Sequence, residues 1–215
     1  MAFVSYASNL VSEDTNGWED IFLHDTQTGT TTRLSVDSSG TQGNGQSYTP
    51  SISEDGRYVA FRSSANNLVS GDTNGTWDIF LRDTQTGITT RLSVDSSGTQ
   101  GNDDSWSPSI SADGRYVAFS SGASNLVSGD TNGWDDIFLH DTQTGTTTRL
   151  SVDSSGKQAN NQSYTPSISA DGRYVAFSSL ASNLVSGDTN GKEDVFVVPT
   201  AIISTYRIYL PLVIR

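Results

Sequence analysis

Apolar residues in this chain come in short bursts and never in long runs. Tyr58-Val-Ala-Phe61, Asp78-Ile-Phe-Leu81 and Leu92-Ser-Val94 are separated by stretches rich in Gly, Ser, Thr, Asn and Asp. Within the bursts the apolar positions alternate. Val59 and Phe61 share one face, Ile79 and Leu81 oppose Phe80, and Leu92 pairs with Val94. Such alternation marks β-strands, and no stretch sustains the 3.6-residue period of a helix. Turn signals divide the bursts. In Glu54-Asp55-Gly56-Arg57 the Asp-Gly pair suits the positive φ angles of a two-residue hairpin. Asp83-Thr-Gln-Thr-Gly87 is a second tight turn.

The pattern repeats. The stretch Asn67-Leu-Val-Ser-Gly-Asp72-Thr-Asn74-Gly75 has counterparts beginning at Asn9, Asn125 and Asn183, a fixed spacing of 58 residues. Each complete unit predicts four antiparallel strands, a to d, with long polar loops at b–c and d–a and tight turns at a–b and c–d. Short strands at this period read as the blades of an all-β propeller. The expected blades span about 1–46, 47–104, 105–162 and 163–215 of one domain. The first unit begins inside strand b at Phe3, without a strand a or a leader segment. The last runs through Asp194-Val-Phe-Val-Val198, and Ser204–Leu210 aligns with a strand d, Arg207 matching Arg149. That predicts fifteen strands, one short of four full blades. Four blades could close alone at strong curvature, or two chains could form one eight-bladed ring. The second is favoured, because end blades would otherwise leave apolar faces open.

Composition narrows the partners. A net charge of −12 argues against nucleic acid and anionic membranes and favours cations. Cysteine is absent, so no disulfide contributes. No apolar run is long enough for a membrane helix.

Ser111-Ala-Asp-Gly-Arg-Tyr-Val-Ala-Phe119, followed by Asp136-Ile-Phe-Leu139 and Asp141-Thr-Gln-Thr-Gly145, resembles the TolB-like, or WD-like, propeller repeats of bacteria. The resemblance covers nearly the whole chain. It implies four-stranded blades around a channel and an extracellular or periplasmic setting. It implies little about activity, since such propellers serve as binding platforms, assembly factors and peptidase gates. Six to eight blades are usual there, more than this chain carries.

The long loops hold the candidate chemistry. Ser70-x-Asp72-x-Asn74-Gly75-x-x-Asp78 sets oxygen side chains at alternate positions around a glycine turn, as calcium loops do. The expected ligands are Asp14, Asn16 and Asp20; Asp72, Asn74 and Asp78; Asp130, Asn132 and Asp136; and Asp188, Asn190 and Asp194. All are hard oxygens, which suits Ca²⁺. The twelfth position holds Leu81, so this is no EF-hand. A hydrogen-bonded turn without an ion would use the same letters. Trp18 and Trp134 stand beside the motif, where they could stack on a sugar or a peptide, or pack over neighbouring loops. Tyr48, Trp106 and Tyr164 read as packing residues at the channel rim. His24 and His140 share a position with Arg82 and Val198, which reads as a solvated strand edge. No catalytic motif is present. The expectation is therefore a calcium-stabilised binding or scaffold module, not an enzyme, recognising a glycan, peptide or protein on its acidic long-loop face. The alternatives are the gating propeller of a larger hydrolase and a recently amplified array without a ligand.

Overall fold

The computed structural model describes residues 1–200, which form fourteen strands and no helix. The fifteenth expected strand, Ser204–Leu210, lies outside the described residues. Four antiparallel sheets follow one another along the chain. The first is β1 (Ala2–Ser5), β2 (Asp20–His24) and β3 (Thr31–Arg33). The second is β4 (Ser47–Ile52), β5 (Tyr58–Ser63), β6 (Asp78–Asp83) and β7 (Ile88–Arg91). The third is β8 (Ser105–Ile110), β9 (Tyr116–Ser121), β10 (Asp136–Asp141) and β11 (Thr146–Arg149), and the last is β12 (Ser163–Ile168), β13 (Tyr174–Ser179) and β14 (Asp194–Pro199). These are propeller blades in the expected strand order, and among the described residues they are not closed into a ring.

The two middle blades are apolar on both faces because each is sandwiched between neighbours. Val59, Phe61 and Phe80 pack with Ile21 and Leu34 of the first blade. Ala60, Ile79, Leu81 and Leu92 face the other way, onto Val117, Phe119 and Phe138 of the third. The alternation in the sequence is thus two buried faces, one per neighbour. A phenylalanine pair joins strands b and c in every blade: Phe3–Phe22, Phe61–Phe80, Phe119–Phe138 and Phe177–Phe196, with ring centroids 5.8 to 5.9 Å apart. Offset stacking at this distance adds to the area that the rings bury.

Two local expectations are corrected. The a–b hairpin has four loop residues rather than two: the Ser53 N–H donates to the Tyr58 carbonyl, and among Glu54 to Arg57 Gly56 alone takes positive φ, +74°. At its counterpart Gly114 (φ +73°), the Tyr58 ring of the preceding blade also occupies the space a Cβ would need. Strand a is not simply extended. Its pairing with β5 shifts between Tyr48 and Ser51, and Thr49 sits at φ 51°. Pro50 lacks the N–H that would continue the ladder. Ser107 and Thr165 repeat this kink.

Candidate functional site

Both long loops of every described junction emerge on one face and are laced to each other. In the first unit the Asn16 amide donates to the Gly43 carbonyl at 3.0 Å, and Gln42 Nε2 donates to Thr15 Oγ1 at 2.8 Å. The d–a loop then bonds the next b–c loop: Asn67 Oδ1 accepts the Asn44 N–H, and the Asn44 amide donates to Asn66 Oδ1. Asn102–Asn125 and Asn160–Asn183 repeat the link. Asn and Gln supply donors and acceptors at once, which is why they recur in loops that must satisfy backbone from two neighbours.

The motif side chains come together as the spacing predicts. Asp78, fully buried, receives the Ser93 hydroxyl on Oδ1 and the Asn74 amide on Oδ2 at 3.0 Å. Arg91, from β7, reaches between the two motif carboxylates: its Nη1 lies 3.1 Å from Asp72 Oδ1 and 3.4 Å from Asp78 Oδ2. Arg33 lies in the same way between Asp14 and Asp20, and Arg149 between Asp130 and Asp136. In the fourth unit Asn190 donates to Asp194 at 3.0 Å, and Arg207 lies outside the described residues. Burial pushes the carboxyls of Asp20, Asp78 and Asp136 above the ordinary range, against the hydroxyls of Ser35, Ser93 and Ser151 and the guanidinium charge.

This arrangement supplies a cation from the chain itself, at the point where the spacing suggests calcium. The Asn16, Asn74 and Asn132 oxygens turn toward the N–H of Trp18, Thr76 and Trp134, away from the carboxylates. A calcium ion here would require the guanidinium to withdraw and the amide to turn. Among the described residues no three acidic or histidine side chains converge as metal ligands.

Trp18 and Trp134 project from these loops and are 44% and 48% exposed. His140 is not at a solvated edge: it is buried between blades, its Nδ1 2.9 Å from Thr147 Oγ1, and burial lowers its proton affinity. Arg82 fills the same slot one blade earlier and donates to the Asp37 carbonyl of the blade before.

One junction departs from its siblings, and the sequence reading missed two of its residues. Between the second and third blades, the Arg62 guanidinium lies 4.6 Å from the ring centroids of both Trp77 and Trp106 and 5.4 Å from that of Tyr48. Arg62 is the penultimate residue of β5, opposite Tyr48, Trp77 precedes β6, and Trp106 is the second residue of β8 in the next blade. The 58-residue register of the repeat would have found them. Where unit two has Arg62 and Trp77, unit four has Ser178 and Glu193, and unit three has Ser120 and Asp135. Glu193 is held by the Tyr164 and Ser178 hydroxyls, and Asp135 accepts the Gln162 amide at 3.0 Å. At the odd junction the polarity reverses, with the Trp77 backbone N–H donating to Asp104 Oδ1 at 2.9 Å.

No protein-family profile matches the chain, and no curated protein matches it. Solved structures do. A TolB-type protein of Agrobacterium tumefaciens is 20% identical at a TM-score of 0.54, over 86% of this chain and 54% of its own. A prolyl endopeptidase is 17% identical (TM-score 0.55), over 91% of this chain and 26% of its own. The tricorn protease is 17% identical (TM-score 0.52), over 86% and 16%. The chain therefore spans about half or less of each relative's length. At these identities the likeness defines the fold, a TolB-like β-propeller, and the repeat's resemblance is upheld at that level.

Proposed function

We propose that this propeller is a binding or scaffold module without catalysis of its own, and that it recognises a glycan on its long-loop face. One observation carries the reading: Trp18 and Trp134, nearly half exposed, occupy equivalent positions on loops that hydrogen bonds lace into one layer. Exposed indoles on a fixed layer offer stacking surfaces for the apolar faces of sugars, at little ordering cost. Repetition lets weak sites add through effective concentration. We further propose that Arg33, Arg91 and Arg149 hold the b–c loops as internal counter-ions. Calcium held by the same carboxylates is the competing proposal, and a chelator distinguishes them. The hydrolase-gate reading draws only on the names of two structures that this chain matches in fold. An extracellular or periplasmic setting remains part of the proposal, as a glycan-binding role would suit it. The test is a glycan array read with the wild type and with a Trp18→Thr/Trp134→Thr variant, Thr being the residue at sibling position 76. Glycans bound by the wild type should lose signal in the variant; equal signal, or no bound glycan, rejects the reading.

A further inference from the structure

The broken symmetry at Arg62 deserves a function of its own. Five arginines among the described residues reach carboxylates: Arg33, Arg57, Arg91, Arg115 and Arg149. Among the described residues Arg62 has neither an ion pair nor a hydrogen bond, although the chain carries a net charge of −12. The acid that could have paired with it, Glu or Asp in every sibling unit, is Trp77 here. The substitutions thus insert a cation and move the junction's acid to Asp104, which stands where the siblings have Gln46 and Gln162 and whose charge acts on Arg62 without an ion pair. The guanidinium carbon lies 4.6 Å from the ring centroids of both indoles, which holds the group between them. Its Nε is buried behind the rings, while the terminal nitrogens are neither buried nor bonded. A guanidinium held between two rings with its terminal N–H groups unbonded can take a carboxylate on two of them.

We propose that Arg62, Trp77 and Trp106 form a receptor for a single carboxylate on a sugar ring, a hexuronate unit of a glycan. The proposal rests on the preceding reading of the long-loop face as a binding face, at whose inner end this cluster lies, and it names the ligand class. Trp77 and Trp106, both half-buried, flank the guanidinium, and the parts of the indoles that it leaves open suit the apolar edge of a pyranose beside its carboxylate. The surrounding acids, including Asp103 and Asp104, disfavour a polyanion, so the fitting ligand carries isolated carboxylates among neutral sugars.

The experiment follows the indole N–H resonances of the four tryptophans in the whole chain. Sodium glucuronate, glucose, sodium acetate and N-acetylglycylglycine are titrated in turn. Glucuronate should shift Trp77 and Trp106 saturably, with glucose and acetate at least about ten-fold weaker, and added salt should weaken the response. Arg62→Ser should abolish it, and this variant should fold because Ser stands at positions 120 and 178. Arg62→Lys keeps the charge without the planar fork and should also lose binding, so the test survives if the serine variant is unstable. Glucuronate leaving Trp77 and Trp106 unmoved overturns the receptor. Acetate or the peptide binding as well as glucuronate overturns the sugar assignment. Trp18 and Trp134 report separately: a neutral glycan that shifts them sustains the binding face, and glucuronate then leaving Trp77 and Trp106 unmoved rejects the Arg62 site alone.

Discussion

At the scale of single residues, the motif acids and their neighbours divide the labour. Asp20, Asp78 and Asp136 are buried against a serine hydroxyl, an asparagine amide and an arginine, so these loops close on partners the chain provides. The motif's meeting of Asp, Asn and Asp was legible from spacing alone. The arginine was not, because it arrives from strand d, whose neighbourhood to the b–c loop exists only once the sheet forms. His140 was misread for a related reason. A slot that holds His, Arg or Val suggests solvent, yet a long side chain can bury its stem between blades and still find a carbonyl, as Arg82 does. Burial keeps His140 neutral, and its folded pKa lies below the ordinary 6.5. The unfolded chain therefore takes up the proton first, and stability present above that value is lost as pH falls through 6.5 toward the folded value. Lowering the pH from about 7.5 to about 5.5 should reduce the melting temperature of the wild type more than that of His140→Val, which carries the residue of sibling Val198. Parallel shifts in the two proteins would show that His140 is no pH sensor.

At the scale of elements, strands b and c were easiest to read, since both faces are apolar and the phenylalanine pair recurs in all four blades. Strand a and the hairpins were harder. The kink at Thr49 follows from a proline inside an alternating pattern, and the length of the a–b loop depends on the Ser53–Tyr58 closure rather than on the Asp-Gly pair. The c–d turn fits its reading: Asp83 Oδ1 accepts the N–H of Gln85 and Thr86, as a turn-forming aspartate does. Arg57 ties that turn to the a–b hairpin at 2.8 Å and holds the Asp83 carboxyl well below the usual carboxylate range. The b–c loop is where the two accounts of the motif part. With guanidinium counter-ions, excess EDTA should leave the melting temperature unchanged. If calcium holds the loops, removing it removes the binding linkage, and the melt should drop by several degrees.

At the scale of the whole molecule, the four blades are not closed into a ring among the described residues, and within these the outer face of the first blade lacks the cover its siblings have. Leu10 is 36% exposed, whereas Leu68, Leu126 and Leu184 at the same position are each 1% exposed beneath a preceding blade. A second copy presents the kind of surface that covers those three, so the account expects a dimer, with a light-scattering mass near twice 23.0 kDa. A single-chain mass would remove it. The symmetry that made the fold legible also concealed the Arg62 junction, because a repeat draws attention to what recurs. The central claim is that the laced long-loop face binds glycans through its aromatic residues. Its most direct test is the glycan array, read in parallel with the wild type and with Trp18→Thr/Trp134→Thr at matched melting temperatures. The account predicts a set of glycans that the wild type binds and the variant releases, by about ten-fold or more in apparent affinity. An array on which both proteins bind equally, or neither binds at all, would contradict it.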